Sequence, residues 1–551
     1  MARISVTKPK YAPLFGGVGF HNSEAGMYRL LSRRSFEEKI AKCNRELSPG
    51  FMRCFAGYSD WTRQAMDDFA DYYEQMQKVT DTPIYLTPGR GKLHFSEEDM
   101  RRYADDVAVR LEYLVRKRNV KHLAYYCFSN ELSQLTNGAL QNRLTTFQRY
   151  HELLYDAFQR RRLPLGLLAT DAAMDWSSID WAMEHMDPIT CDYCGHWYER
   201  GDACDLSFYQ RFYERCAEYA VKAARKEKHF LLGEFGVSKE NTALQGTAIK
   251  DVCTYFDSGD YKGLSLMLAE AVAAAVNAGV FALMSWTFCD YPDPMVGPAY
   301  ADERSASYTL CEPFLGGGVR IRYNKWGLLK WEEDGSFTPR PHYFAFGPIV
   351  RYLKRNSKIL QTVSDDPFLR GCAVLTRRGR LSLLLVNRSR EEKPLELQLP
   401  QASGLPLRVF LHRTDAPDWN PFADLPAFQA EVAPSSPRWI MPPESIAVLT
   451  DDYTPAPRHV EAEILGTDGQ LVWKPVRDER HCYYRVFDGE EQIASTVAEH
   501  CTVSGGGSYR VVSVDWDGNQ SFLREEQLLF PSFLFLILPV GLLTKFSLFL
   551  R

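Results

Sequence analysis

The chain is poor in the features that mark several whole classes of protein. It has no excess charge of one sign: 65 Lys and Arg stand against 70 Asp and Glu, a formal net charge of −5 with both signs well mixed. That argues against a nucleic-acid partner and against charge-driven binding to a membrane surface. Met1–Lys10 is polar and basic with no apolar run, so a secretory signal is not expected there. No apolar stretch reaches the ~20 residues that a spanning helix needs. The nearest is Leu528–Leu543, 16 residues broken by Pro531 and Pro539. It leaves two readings, a C-terminal membrane anchor or a segment that does not span, and its length and prolines favour the second.

Phosphate-binding, metal and serine-nucleophile motifs are missing too. Gly16–Gly19 and Gly316–Gly318 are glycine-rich but lack the lysine or helix context that cradles phosphate. No His-rich metal motif and no G-x-S-x-G elbow occurs, so neither a metal nor a cofactor is implied. The 13 cysteines are odd in number and follow no repeated spacing. With no secretory signal, they suggest free thiols in a reducing cytosol, and a cytoplasmic location is expected. Cys191 and Cys194 form a C-x-x-C pair without a second ligand pair or a thioredoxin-like setting, which favours plain buried thiols.

What is present is ordinary for a soluble globular protein: 45% hydrophobic and 25% charged residues over a length of 551, enough for about three domains. Aromatics reach 13%, and such residues fill cores but also form platforms for sugar rings.

From about Tyr11 to Lys354, short apolar runs alternate with long helical patterns. Eight strand candidates stand out: Leu14–His21, Phe51–Phe55, Ile84–Thr87, Leu123–Ser129, Leu165–Ala169, Ile189–His196, Phe230–Gly233 and Phe281–Trp286. Most are apolar on both faces, as strands buried in a parallel sheet are. Between them, Trp61–Val79 places Met66, Phe69, Tyr73 and Met76 at helical spacing, and Leu206–Lys226 does so with Phe208, Phe212, Cys216 and Tyr219. Ser96 before Glu97, Glu98 and Asp99 reads as an N-cap with acids in the first turn. The expectation is an α/β chain, a (β/α)8 TIM barrel over 12–356 followed by all-β domains.

The last barrel helix is placed at His342–Leu353. Short strands follow at Gly371–Leu375, Leu381–Asn387, Leu395–Leu399, Leu407–His412 and Ser445–Leu449, a β-sandwich over 357–454. Thr454–Arg458 is a proline-marked linker. A smaller β unit over 459–522 resembles a fibronectin type III module through Leu471–Trp473, Tyr483–Phe487 and Tyr509–Val514, with turns at Asp488–Gly489 and Asp517–Asn519. Residues 523–551 form the apolar tail.

Barrel chemistry sits at the C-terminal ends of the strands. There the sequence places Arg53 near the end of strand 2, Asn130–Glu131 after strand 4, His196 and Tyr198 at strand 6, Glu234 after strand 7 and Trp286 at strand 8. Any one of these has a bland explanation: Arg53 as a structural ion pair, His196 as a core histidine, Trp286 as packing. Two carboxyls at opposite strand ends are harder to explain by packing, because buried Glu needs a partner. Facing each other, they can flank one glycosidic bond, one giving a proton and one attacking. Arg53 and Tyr198 would keep the attacking carboxylate ionised, and Trp286 would floor the sugar. His21 and Asn22 follow strand 1, where contact with substrate and a loop role stay equally open. Trp61, Trp176, Trp197, Phe288 and Tyr291 are candidate platforms, of which one or two are expected to serve.

The set Arg53, Asn130–Glu131, His196-x-Tyr198, Glu234 and Trp286, in order and at these strand ends, resembles clan A of the glycoside hydrolases, which includes families 5 and 39. Asn324–Lys330 with Arg340–Tyr343 is similar to the lead-in to the last barrel helix in these enzymes, and the strands at Asn387 and at Pro443–Ser445 resemble the sandwich that often accompanies the barrel. The resemblance covers about residues 12–452. Leu132 stands where many members carry proline, which counts against family 5 in particular and leaves Glu131 in place as the acid/base.

The resemblance implies a retaining β-glycosidase acting on a carbohydrate substrate, with Glu131 as acid/base and Glu234 as nucleophile. Arg53, Asn130, His196, Tyr198 and Trp286 would touch the substrate or the carboxyls, and a non-proline cis peptide would fall near Trp286. Two other readings compete: a catalytically inactive carbohydrate-binding protein on the same barrel, and a surface-anchoring protein built on the C-terminal unit and tail.

Overall fold

Eight apolar runs become the eight parallel strands of a closed barrel: β1 (Gly17–His21), β2 (Met52–Phe55), β3 (Ile84–Thr87), β4 (Leu123–Tyr126), β5 (Gly166–Ala173), β6 (Asp192–Arg200), β7 (Phe230–Ser238) and β8 (Ala282–Ser285). Each pairs with the next, and β8 closes on β1. The computed structural model describes the chain except residues 11–12, 23–24, 26–27, 29–30, 56–62, 89–95, 132–139, 174, 202–204, 239–260, 295–307, 312–320, 325–326, 333, 401–403, 436, 454–459, 467–468, 505 and 517–551. The apolar tail, the proline linker, the Asp517–Asn519 turn, Gly316–Gly318, Leu132 and Trp61 therefore lie outside the described residues.

Three strands run further than their apolar residues suggest. β5 continues to Ala173, β6 to Arg200 and β7 to Ser238. Ile189, taken from sequence as the start of strand 6, instead closes a short 3-10 turn, Asp187–Ile189. β4 is shorter than expected and leaves the ladder after Tyr126. The extensions carry polar residues because they form the rim of the barrel, where paired backbone and a polar pocket coexist. The helices sit where periodicity places them: Arg63–Met76, Glu97–Glu112 and Phe208–Ala224. Ser96 caps the second by accepting from the Asp99 N–H.

One helix, Tyr261–Asn277, is buried from Gly263 to Val276. A helix apolar on every side must be covered on every side. It packs on the barrel and also on strands Leu369–Leu375 and Leu381–Asn387 of the following β domain. Its one acid, Glu270, meets Arg388 at 2.6 Å and Arg370 at 3.5 Å. Ahead of the last barrel helix, Pro341–Tyr352, the Arg340 guanidinium forks onto Asp290 at 2.6 and 2.8 Å.

The β domain is a ten-stranded sheet folded so that Ser357–Ser364 serves both halves. Its two faces share one core of Ile4, Val6, Leu360, Leu383, Leu397 and Leu449. Four members have no counterpart in the sequence reading: Ala2–Thr7, Ser357–Ser364, Ala430–Val432 and Arg438–Met441. Ala2–Thr7 pairs antiparallel with Ser357–Ser364 and parallel with Lys393–Gln398, so the first residues of the chain complete a sheet made from its later part.

The chain forms two compact units, the first holding residues 1–453 with 494–498 and the second the remaining residues from 454. Beyond residue 459 the chain forms a four-stranded sheet, Val460–Glu461, Tyr509–Asp515, His481–Asp488 and Glu491–Thr496 in spatial order, and a three-stranded one. Trp473 and Tyr484 meet edge to face at 5.3 Å in the interior of the second unit. Among the described residues, no helix is long and apolar enough to cross a membrane.

Candidate active site

Neighbouring strand ends bring six of the seven sequence-predicted residues into one hydrogen-bonded group. Arg53, at the end of β2, is wholly buried. Its Nη1 donates to Glu234 Oε1 at 2.5 Å, and its Nη2 donates to Asn130 Oδ1 at 2.5 Å. Tyr198 Oη donates to the other Glu234 oxygen, Oε2, at 2.8 Å. His196 and Tyr198 are two apart on β6 and so share a face, and His196 pairs in register with Glu234 of β7. His196 Nδ1 lies 3.3 Å from Glu131 Oε1 and 3.6 Å from Glu234 Oε2. One ligand-type atom from each of Glu131, His196 and Glu234 lies within 4.8 Å of the other two, so the two carboxylates face each other across a single small space.

The seventh residue, Trp286, forms a wall. Its ring is 4.4 Å from His21 and 5.7 Å from Phe55. The Trp286–Thr287 peptide is cis. His21 is buried, with Nδ1 3.3 Å from Arg53 Nη1, and thus belongs to the group. Asn22 does not: its amide turns to Met52 Sδ and Tyr72 Oη, a packing role.

The residue that sequence reading missed is Asp171. It lies in β5, wholly buried, and accepts from Arg53 Nη2 at 2.8 Å and from Cys194 Sγ at 3.3 Å, with His196 Nε2 at 2.6 Å. Its main-chain carbonyl accepts from the Glu131 N–H at 2.9 Å. Both residues have left-handed backbones, φ 57° for Asp171 and 54° for Glu131. Such non-glycine conformations are uncommon and gather at functional sites.

Two register shifts create this geometry. Between β5 and β6 the pairing passes over Asp171, and between β6 and β7 it passes over Gly233. A bulge re-aims the side chains beside it. Glycine is needed at 233 because a Cβ there would fall 2.9 Å from Asp171 Oδ1 and 2.6 Å from Cys194 Sγ. An acid just past the apolar run Leu165–Ala169 was the one available signal for Asp171.

Burial by itself would favour the neutral form of both imidazoles, but they diverge. His21 faces the Arg53 and His196 cations and falls well below its ordinary value. For His196, burial is outweighed by Asp171, Glu234 and Glu131, which hold it up at about 10. Burial pushes the Glu234 carboxyl up, and the His196 and Arg53 cations pull against that rise. Burial likewise opposes charge on Asp171, yet Arg53 and His196 hold it well below the usual carboxylate range. The Glu131–His196–Glu234 group has ligand-type atoms at metal-like spacing. Both His196 ring nitrogens already face carboxylates, Nε2 toward Asp171 and Nδ1 toward Glu131 and Glu234.

No family model and no curated protein matches the sequence. Solved structures do match. The catalytic domain of a GH30 xylanase C from Talaromyces cellulolyticus aligns with a TM-score of 0.56 at 11% identity, over 81% of this chain and 99% of that one. A GH30 endoxylanase from Clostridium papyrosolvens gives 0.54 at 10%, over 81% and 99%. A bacterial orthologue of human α-L-iduronidase gives 0.55 at 13%, over 95% and 98%. The fold is that of the clan A glycoside hydrolases. In this glycosidase-type barrel the described group lies at the strand ends where such folds carry their chemistry.

Three platform candidates are otherwise employed. Trp176 is buried, and its Nε1 holds the His196 carbonyl at 3.0 Å. Trp197, on the opposite face of β6 from His196, bonds Glu199 at 3.0 Å. Phe288 stacks on Phe20 at 4.4 Å. The side chain of Tyr291 lies outside the described residues. Of the C-x-x-C pair, Cys194 is buried and reaches Asp171, whereas Cys191 is exposed, contrary to the expectation of two buried thiols. The ten described cysteines are all free.

Proposed function

We propose that the chain is a retaining β-glycosidase in which Glu234 is the nucleophile and Glu131 the acid/base. The observation that carries this reading is the facing carboxylate pair, within 4.8 Å at its nearest oxygens. Retaining enzymes need the two groups about 5–5.5 Å apart, whereas inverting ones leave room for water at about 6.5–9.5 Å. The roles follow from the surroundings. Both Glu234 oxygens accept strong donors, Arg53 and Tyr198, which suits a carboxylate that must attack while ionised. Glu131 is the more exposed of the two and borders solvent, where a leaving group departs and water enters.

In the first step Glu234 attacks the anomeric carbon, the glycosidic C–O bond breaks, and Glu131 gives its proton to the departing oxygen. In the second, Glu131 takes a proton from water, the hydroxide oxygen bonds the anomeric carbon, and the ester bond to Glu234 breaks. Asn130 Oδ1 accepts from Arg53, which leaves its amide N–H as the group to donate to the sugar 2-hydroxyl. The related structures described as xylanases support a carbohydrate as the substrate class. The two small sheets beyond residue 459 fit a fibronectin type III-like accessory module.

A panel of nitrophenyl glycosides tests the reading. E234Q should fold and show no turnover; wild-type turnover by that variant excludes Glu234 as nucleophile. E131A should suffer most on poor leaving groups, and added azide should restore release from activated ones.

A further inference from the structure

Asp171 stands outside the two-carboxylate mechanism, yet it is tied into the pocket at four points. It has four polar links: Arg53, His196 and Cys194 through its carboxylate, and the Glu131 N–H through its carbonyl. Both cations that it holds also reach a catalytic carboxyl. Arg53 bonds Glu234, and His196 faces Glu131 and Glu234.

The imidazole geometry is the telling part. Nε2 is 2.6 Å from Asp171 Oδ1, and Nδ1 is 3.3 and 3.6 Å from oxygens of Glu131 and Glu234. A neutral imidazole has one N–H and one lone pair, so one of its nitrogens would point a lone pair at carboxylate oxygens. An imidazolium satisfies both sides.

We propose that Asp171 is a positioning residue whose buried carboxylate holds His196 as an imidazolium, with the second ring N–H placed between Glu131 and Glu234. This rests on reading those two residues as the catalytic pair. Asp171 thereby converts one buried negative charge into two directed cations, Arg53 and His196, aimed at the nucleophile. The His196 N–H steadies Glu234 as it stands ionised before attack. It also meets Glu131 each time that residue has given up its proton, which is the state that activates water.

Every element around the ring contributes to this balance. Asp171 comes from β5, Glu131 from the segment after β4 and Glu234 from β7. Arg53 comes from β2 and the neutral His21 from β1, while Cys194 and Tyr198 share β6. The three carboxylates favour the charged ring, and Arg53 is already engaged by two of them.

Nitrogen-15 NMR of histidine-labelled full-length protein tests the claim in the wild type, with the His196 signals identified by their loss in H196Q. Both ring nitrogens should be protonated across neutral pH, with no titration near the ordinary histidine value. A single protonated nitrogen at pH 7, with Nδ1 accepting a proton from Glu131, overturns the proposal.

D171N keeps the shape and, as asparagine, tolerates the left-handed backbone. In it the His196 ring should titrate lower by about one pH unit or more. In the same variant kcat should fall about tenfold or more while KM changes little. A D171N protein whose His196 ring titrates as in the wild type would leave Asp171 a structural residue only. The two readings fail separately: without turnover of any glycoside the catalytic reading falls while the NMR result stands, and turnover with a neutral His196 removes the Asp171 proposal alone.

Discussion

Gly233→Ala adds one methyl group at the point where three polar side chains converge, and its effect can be worked from distances. Gly233 is not in the left-handed region of backbone space, so alanine pays no conformational cost there. The whole effect is therefore steric. The new Cβ would stand 2.6 Å from Cys194 Sγ, 2.9 Å from Asp171 Oδ1 and 3.2 Å from His196 Nε2. The first two are closer than real contacts allow, so those atoms must move by several tenths of an ångström.

All three side chains are wholly buried, and Asp171 is tied to His196 at 2.6 Å, so none can swing into solvent. Overpacking of this kind costs about 1–3 kcal/mol. Because Arg53 and His196 move with Asp171, the carboxylate pair shifts as well. A displacement of about 1 Å can cost about a hundredfold in rate, so a loss of about ten- to a hundredfold in kcat/KM is expected. Chemical unfolding and turnover of aryl glycosides measure the two effects. Adding C194A should return part of the stability, since it removes the closest clash, but little of the activity, since the Asp171 conflict remains. A G233A protein with wild-type unfolding and wild-type turnover would refute this account of the bulge.

Three further outcomes follow from the same geometry. N130A should lower kcat/KM by about ten- to a hundredfold on ordinary glycosides but hardly at all on 2-deoxyglycosides, because the lost donor serves the 2-hydroxyl; equal losses on both would move Asn130 out of that role. W286A should raise KM and lower kcat/KM, with W286F falling between it and wild type, because an apolar ring face is what the sugar loses; parallel steady-state kinetics of the two variants decide this. Glu270 tests the packing of barrel on sandwich. Burial pushes its carboxyl up to about 7 from an ordinary 4.5, while Arg388 and Arg370 restrain the rise. The folded chain thus keeps a proton that the unfolded chain has released between those values. The contribution to stability is complete below about 4.5 and is lost as pH rises through about 7. It amounts to roughly 3 kcal/mol at most. Urea unfolding at pH 5 and pH 8 should show this fall in the wild type and a flatter response in E270Q.

Much of the barrel was legible because its strands are apolar on both faces and its helices keep a strict period. Ile84–Thr87 and the Ser96 cap stand where residue pattern alone places them. The group at the rim was legible as a list, Arg53, Asn130, Glu131, His196, Tyr198, Glu234 and Trp286, because each follows or ends an apolar run. Other features had no such mark. Asp171 sits inside a strand whose apolar run stops at Ala169, and it enters the pocket only because β5 continues past it through a register shift. Ala2–Thr7 is too short to announce itself and finds its partners more than 350 residues away, at Ser357–Ser364 and Lys393–Gln398.

Local pattern thus determined which segments are strands and helices, since burial on one face, two faces or none is written in residue order. Only the folded chain decided that a second cation and a third carboxylate, Asp171, meet the paired glutamates. Such meetings depend on pairing register between strands distant in sequence, and a shift of one residue there reverses which side chains face inward.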